Sequence, residues 1–173
     1  WVSELRIFAK GLEDKFQTTI TEDGLNESIE WCNKERIQAA RIYELGRYEP
    51  PAITGIRMHD IMEGEQYMFD PQEKYDKINA ILDQCEKNWH NGEAPFAPDP
   101  KRPRIIVSGT GLGGTAEKTI HVVEELGGAV VCYEGCSGIS SRRRLIDEDR
   151  SRDPYLRIAE KYIEVPCAVV SPN

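Results

Sequence analysis

The sequence contains no long hydrophobic run. No stretch approaches the roughly 18 consecutive apolar residues that mark a membrane-spanning helix. The first ten residues, WVSELRIFAK, also lack the apolar core of a secretory signal. We therefore expect a cytoplasmic protein without a membrane partner.

Cysteine pairs and histidine pairs with ligand spacing are missing as well. The chain has five cysteines, an odd number, and no C-x-x-C motif. This pattern is typical of reduced thiols and argues against a disulfide framework. The three histidines share no ligand-like spacing, so the sequence does not indicate a histidine zinc site.

The chain also lacks an excess of positive charge. It carries 22 basic and 30 acidic residues, and its net charge is −8. Residues 1–100 hold 11 of the basic and 20 of the acidic residues, so the imbalance lies in this first part. Because acidic surfaces repel phosphate backbones, we do not expect nucleic acid as a partner.

Residues 1–95 are predicted to form a helical segment. The clearest helix begins at Asp70, which can cap it, and Pro71, which suits the first turn. Apolar residues then recur at steps of three and four, which is the spacing of one helix face: Tyr75, Ile78, Leu82, Cys85 and Trp89. A similar face is predicted near the start of the chain from Trp1, Leu5, Phe8 and Leu12.

From residue 104 onward the pattern changes to alternating strands and helices. Short β-branched runs predict strands, and amphipathic stretches between them predict helices. The strands are predicted at 105–107, 129–133 and 166–170. The helices are predicted at 115–126 and from Asp153-Pro154 onward, the latter with Tyr155, Ile158 and Tyr162 on one face. Strand–helix–strand units of this kind build parallel sheets with helices on their faces.

These patterns predict a truncated α/β domain with a three-layer, flavodoxin- or Rossmann-like parallel sheet, preceded by a helical segment. The helical segment covers 1–95, the α/β domain covers 102–173, and a proline-rich connector lies within 93–102. Three strands are too few for a finished sheet of this type. The chain begins at Trp1 and ends at Asn173 directly after an apolar run, so we expect a fragment of a longer protein.

A glycine-rich loop, Ser108–Gly114, joins the first predicted strand to the next helix. Gly109, Gly111 and Gly114 have the G-x-G-x-x-G spacing, and Glu134 follows twenty residues after Gly114 at a strand end. This arrangement matches the fingerprint of nicotinamide- and flavin-binding domains, where glycines let the backbone approach a phosphate. A tight strand-to-helix turn without any ligand would also favour glycine.

Several motifs follow one another in a characteristic order: a Gly-rich turn, T-x-E-K, E-x-C-x-G, AEKY and a final PCAVVSPN. This order resembles the 2-hydroxyacyl-CoA dehydratase family (the 2-hydroxyglutaryl-CoA dehydratase type), which also contains benzoyl-CoA reductase subunits and double-cubane cluster proteins. The helical stretch ESIEWCNKERIQAARIYELGRYEPPAITG looks like the segment that precedes the second α/β domain in this family.

The resemblance implies a lyase subunit that removes water from a 2-hydroxyacyl-CoA. In this family one electron enters the thioester carbonyl, and the resulting ketyl radical expels the hydroxyl group and acidifies the β-position. The implied cofactor is a [4Fe-4S] cluster whose ligands lie mostly outside this fragment. The implied partners are a homologous second subunit, an ATP-dependent activator protein and the acyl-CoA substrate. The fragment alone is expected to be inactive.

Roles for single residues follow from the resemblance and from the position of the loop. Ser108, Thr110 and Glu134 are the expected catalytic residues, and Cys136 is the expected metal ligand, with a free thiol as the alternative. Residues expected to bind the substrate or the phosphates of coenzyme A are Gly109, Gly111, Gly113, Gly114, Arg142 and Arg143, although a solvated loop is the alternative for the arginines. Three further cysteines are expected in the core: Cys32, Cys85 and Cys132.

Three other interpretations stay open. The chain could belong to a benzoyl-CoA-reductase-type or double-cubane cluster reductase, because the G-C-P and E-N-C common in the family are replaced here by Gly109–Gly111 and Glu134–Cys136. It could be a NAD- or FAD-binding Rossmann oxidoreductase that uses Gly109, Gly111 and Gly114. It could also be a non-catalytic subunit that contributes an interface without a cluster.

Overall fold

The computed structural model describes residues 1–109, 114–134, 138 and 142–165. Helices and a parallel pair of strands make up most of this part of the chain, which confirms the predicted α/β class. Within these residues no helix is both long and apolar enough to cross a bilayer. The helices are α1 (Val2–Phe16), α2 (Glu22–Arg47), α3 (Gly55–Gly64), α4 (Pro71–His90), α5 (Gly114–Glu125) and α6 (Pro154–Ile163), and the strands are β1 (Arg104–Ser108) and β2 (Ala129–Glu134).

The described residues form two compact units. The first unit combines Trp1–Arg36 with the described residues from Arg144 onward, and the second unit is Ile37–Arg143. The boundary predicted within 93–102 follows a change in secondary-structure type and stays a prediction. The third predicted strand, 166–170, lies outside the described residues.

In the first unit, α6 begins where the sequence predicted it. The Asp153 carboxylate accepts a hydrogen bond from the backbone N–H of Tyr155 at 3.0 Å, and Pro154 occupies the first turn. Arg6 of α1 forms an ion pair with Asp153 at 2.7 Å and lies 4.5 Å from the centre of the Tyr155 ring. The start of α6 is therefore also the place where α1 packs against it.

Two predicted helix faces are only partly buried. On α1, Leu5 and Leu12 are half-buried, but Trp1 and Phe8 are exposed and the buried residue is Ala9. On α6, Tyr155 and Ile158 of the predicted face are half-buried, and Tyr162 is 44% exposed. The buried positions of α6 include two cations instead, Arg157 and Lys161.

The core of the second unit lies between the end of α2, α3 and α4. The predicted start of α4 is confirmed, because Asp70 accepts a hydrogen bond from the backbone N–H of Glu73 at 2.8 Å. Its predicted face is confirmed too, and the indole N–H of Trp89 donates to the carbonyl of Pro50 at 2.8 Å. The fully buried side chains of this core are Ile42, Leu45, Ile53, Met58, Met62 and Leu82.

The two strands are parallel, and helices cover β2 closely. Arg104 pairs with Ala129 and Ser108 pairs with Glu134, with an irregularity in the register after Ile105. A Cβ atom on Gly46 of α2 would lie 2.5 Å from the carbonyl oxygen of Val131, and one on Gly55 of α3 would lie 2.4 Å from the Cβ of Val130. Both helices can reach the strand only because these positions are glycine.

We predict that Gly55→Ala lowers the free energy of unfolding of the full-length protein by about 1–3 kcal/mol, because the added methyl group overpacks the contact with β2. Urea unfolding measures this change. Gly64→Ala in the same helix is the matched control, since a Cβ atom there meets nothing within 4 Å. Equal losses for both variants would contradict the tight contact.

Candidate functional site

The carboxyl ends of β1 and β2 bring Ser108 and Glu134 together. The two residues are partners in the strand register, and both are exposed. The Ser108 hydroxyl lies 3.4 Å from a carboxylate oxygen of Glu134, a long hydrogen bond. In open α/β sheets, ligands bind in the crevice beyond this end of the strands. We call this pair of strand ends the sheet edge.

Gly109 continues the ladder by one residue. Its N–H donates to the carbonyl of Glu134 at 3.0 Å, and its φ of +147° lies in the region that favours glycine. This N–H is therefore used within the fold. At the start of the loop, the Ser108 hydroxyl is the donor whose long hydrogen bond to Glu134 a ligand can replace. Gly114 opens α5 directly after the loop. The expected site residues Thr110, Gly111 and Gly113 lie outside the described residues.

The described cysteines differ in their surroundings. Cys132 and Cys85 are half-buried against the core, as predicted, and burial raises the pKa of both thiols. The negative charge of Glu134 raises the pKa of Cys132 further. The prediction for Cys32 was wrong, because this residue is exposed on α2.

Burial therefore favours the thiol form of Cys85 and Cys132, and a thiol is a poor ligand for iron. Within the described ranges, no group of three His, Cys, Asp or Glu side chains could hold a metal ion. These residues thus do not fit a cluster site by themselves. Cys136, the expected ligand, lies outside them.

The two arginines expected at coenzyme A lie in different surroundings. Arg142 forms an ion pair with Glu65 in which both side chains are mostly buried, at 19% and 10% exposure, and it also contacts the sulfur of Met62. Arg143 is exposed. Of this pair, Arg143 is thus the one whose side chain faces solvent.

Three further arginines that follow Arg143 in the chain form ion pairs within the first unit. Arg150 pairs with Glu30, Arg152 pairs with Asp147 and Glu160, and Arg144 pairs with Glu164. These pairs are exposed and each contributes little stability.

His59 is a buried residue near the end of β2 that the sequence did not single out. Its ring lies edge-to-face with Tyr133 at 5.7 Å, and the nearest Asp60 oxygen is 3.9 Å from Nδ1. Among the described residues Nδ1 has no hydrogen-bond partner. The apolar neighbours Met58 and Ile61 could have marked this stretch as buried.

The first unit buries three cations that the sequence also did not predict. Arg36 of α2 and both Arg157 and Lys161 of α6 are at most 8% exposed. Arg157 donates to the side chain of Asn26 and to the carbonyl of Asp147 at 2.7 Å. Burial, with the positive charge of Arg36 second, lowers the pKa of Lys161 to about 8.

Comparisons with known proteins agree with the resemblance. The family model described as "2-hydroxyglutaryl-CoA dehydratase, D-component" matches residues 1–173. The chain is also similar to YjiM of Escherichia coli (strain K12), which is provisionally named a dehydratase subunit, with 35% identity over all 173 residues. The chain spans 44% of the length of this curated relative.

We predict that Lys161→Met makes the full-length protein more stable at pH 7, by about 1 kcal/mol, because it removes a buried charge. The folded state holds the pKa of Lys161 at about 8, below its ordinary 10.5, so the unfolded chain binds more protons between these values. The cost of the buried charge is fully present below pH 8 and declines as the pH rises. The advantage of the variant should therefore shrink between pH 7 and pH 9.5.

Urea unfolding at both pH values measures this difference. Lys118→Met, which removes an exposed lysine on α5, is the matched control. A constant stability difference between Lys161→Met and the wild type at the two pH values would refute the burial of a charged amine at this position.

We also predict that Glu134→Gln speeds the alkylation of Cys132 by iodoacetamide at pH 8 by roughly twofold to threefold, because the pKa of the thiol falls when the carboxylate charge is lost. Residue-resolved mass spectrometry gives the rate. Cys85 in the same protein is an internal control, since its pKa depends on burial and on Arg57. An unchanged Cys132 rate would argue against this interaction.

Proposed function

Because the chain belongs to the 2-hydroxyglutaryl-CoA dehydratase D-component family, we propose that it is part of a dehydratase subunit that removes water from a 2-hydroxyacyl-CoA thioester. The observation that carries the proposal is the pairing of Ser108 with Glu134 at the sheet edge. A hydroxyl donor and a carboxylate are the two groups that such an elimination needs from the protein.

The reaction removes a hydroxyl group and a β-hydrogen from the acyl chain. Because the β-hydrogen of a saturated thioester is only weakly acidic, the proposed route begins with one-electron reduction of the thioester carbonyl to a ketyl radical anion. This radical expels hydroxide, loses the β-proton and returns the electron, so that the products are the 2-enoyl thioester and water. When bound, a [4Fe-4S] cluster would supply electron transfer at low potential.

Ser108 and Glu134 are proposed to perform the acid–base and electrostatic work. The Ser108 hydroxyl donates to the carbonyl oxygen, where negative charge develops on reduction. The Glu134 carboxylate takes the β-proton and passes it to the leaving hydroxide, which becomes water. The neighbouring position of the two residues suits this division, since the carbonyl and the β-carbon are two bonds apart.

The other expected groups complete the proposal. The acyl-CoA would lie beside Ser108 and contact the rest of the glycine-rich loop, at Thr110, Gly111, Gly113 and Gly114. Arg143 would contact a phosphate of coenzyme A. Cys136 is the proposed cluster ligand from this chain, and further ligands would come from other parts of the protein. A homologous second subunit and an ATP-dependent activator protein are the proposed partners.

We predict that Glu134→Gln in the full-length complex lowers kcat by about 100-fold or more, because general acid–base catalysis of this kind contributes about 100- to 10,000-fold. The measurement follows the 2-enoyl-CoA formed from a 2-hydroxyacyl-CoA under anaerobic conditions. Iron and acid-labile sulfide content should be the same in variant and wild type. Glu125→Gln, which changes an exposed glutamate on α5, is the matched control and should keep its activity.

Two results would overturn the proposal. One is a wild-type complex that contains no iron after anaerobic reconstitution and dehydrates no 2-hydroxyacyl-CoA. The other is saturable binding of NADH or FAD that is lost when Gly109 is replaced, which would favour a dinucleotide at the glycine loop instead.

A further inference from the structure

In the first unit, α2 and α6 meet through buried polar side chains. Those of α2 are Asn26, Asn33 and Arg36, and those of α6 are Arg157 and Lys161. Helices usually bury apolar faces against each other, because a polar group loses its hydration when it is buried. Nothing in the sequence analysis or in the proposed function accounts for this set of residues.

Arg157 makes the contact nearest to the start of both helices. Its guanidinium donates to the side-chain oxygen of Asn26 and, at 2.7 Å, to the carbonyl oxygen of Asp147. Both acceptors are neutral, and the buried Nε has no acceptor among the described residues. Arg157 therefore holds α6 against α2 through neutral hydrogen bonds.

Arg36, further along α2, is also held by a neutral group. It is 8% exposed, and its Nη1 donates to the side-chain oxygen of Asn33 at 3.0 Å. Asn33 is fixed in turn, because it accepts from the N–H of Ile146 at 2.9 Å and donates to the carbonyl of Ile146 at 2.7 Å. A guanidinium has five N–H donors, so most of those of Arg36 stay available for a ligand.

Lys161 brings a second cation close to Arg36. It lies one turn after Arg157 on α6 and is buried as well. Burial and, after it, the positive charge of Arg36 lower the pKa of Lys161, which means that the guanidinium and the amine are near each other. Two neighbouring cations in a poorly hydrated place repel each other, and a shared anion would remove this repulsion.

The acidic side chains of these helices do not neutralise Arg36. Glu30 of α2 and Glu160 of α6 each pair with another arginine. In the described part of the chain, Arg36 itself forms no ion pair with a carboxylate. A buried guanidinium is costly unless an anion faces it, so the arrangement favours an anion that comes from outside this chain.

We propose that Arg36 and Lys161 form an anion site that binds a phosphate group, either as the free ion or as part of a nucleotide. Two cations match the nearly double charge of a phosphate, whereas a carboxylate would balance only one of them. The guanidinium offers the planar pair of donors that suits phosphate oxygens, and the ammonium adds a second charged donor. The inference is independent of the proposed function, because the sheet edge belongs to the second unit.

Titration calorimetry of the full-length protein with inorganic phosphate, at constant ionic strength, tests the site. The wild type should show saturable binding. Arg36→Met should raise the Kd by about 10-fold or more, because a hydrogen bond to a charged group is typically worth at least that factor. Arg150→Met, which removes an exposed arginine of the same unit, is the matched control and should leave the Kd unchanged.

A second variant keeps the test decisive if Arg36→Met does not fold, as judged by circular dichroism. Lys161→Met removes the other cation and is expected to be more stable than the wild type, so it should fold. It should raise the Kd for phosphate by about 10-fold as well. An unchanged Kd in the folded variants would overturn the inference.

Adenosine monophosphate distinguishes the two sources of the phosphate group. If it binds more tightly than inorganic phosphate, and Arg36→Met weakens its binding, the site takes a nucleotide. If inorganic phosphate binds equally well or better, the site takes the free ion. A wild type that binds neither ligand saturably would overturn the inference, whether or not the protein dehydrates 2-hydroxyacyl-CoA.

Discussion

Two helices of the second unit approach β2 so closely that glycine is required at both contacts. Gly46 of α2 and Gly55 of α3 meet the strand at Val131 and Val130, and the hydroxyl of Tyr43 donates to the carbonyl of Tyr133 at 2.8 Å. A close-packed contact of this kind has one register, because neither helix can slide without a clash. It orients β2, and through the strand pairing it orients β1 as well. The meeting of Ser108 and Glu134 at the sheet edge depends on this arrangement.

Charge is used in different ways in the two units. In the first unit, exposed arginines pair with carboxylates on the surface, while Arg157 and Lys161 are buried at the cost of desolvation. In the second unit, the mostly buried pair of Arg142 and Glu65 links the loop after β2 to the carboxyl end of α3. We propose that protein groups move one proton while the electron comes from a bound cofactor. Two observations support this proposal: the chain belongs to a dehydratase family, and a carboxylate lies at the sheet edge.

Helix caps and β-branched runs predicted the helices and strands well, because each of these signals depends on a few neighbouring residues. Asp70 and Asp153 cap the helices they were expected to cap, and the β-branched runs form β1 and β2. The burial of α6 was not predictable in the same way. Its apolar residues indicated a face with Tyr162, but burial depends on which elements pack against the helix, and these place Arg157 and Lys161 inside. The prediction that Cys32 is buried was wrong for the same reason, since a residue on an apolar helix face is buried only where another element covers that face.

The sequence by itself determined the α/β class, the family, and the candidate pair of a serine and a glutamate that each follow a strand. These properties depend on local pattern and on the order of motifs, so they can be inferred without knowing which distant residues are in contact. Only the tertiary structure decided that Gly109 donates its N–H to Glu134, that Arg142 is held by Glu65, and that Gly46 and Gly55 meet β2. Each of these depends on groups far apart in the chain being brought within a few ångströms, and a single sequence carries no record of such distances.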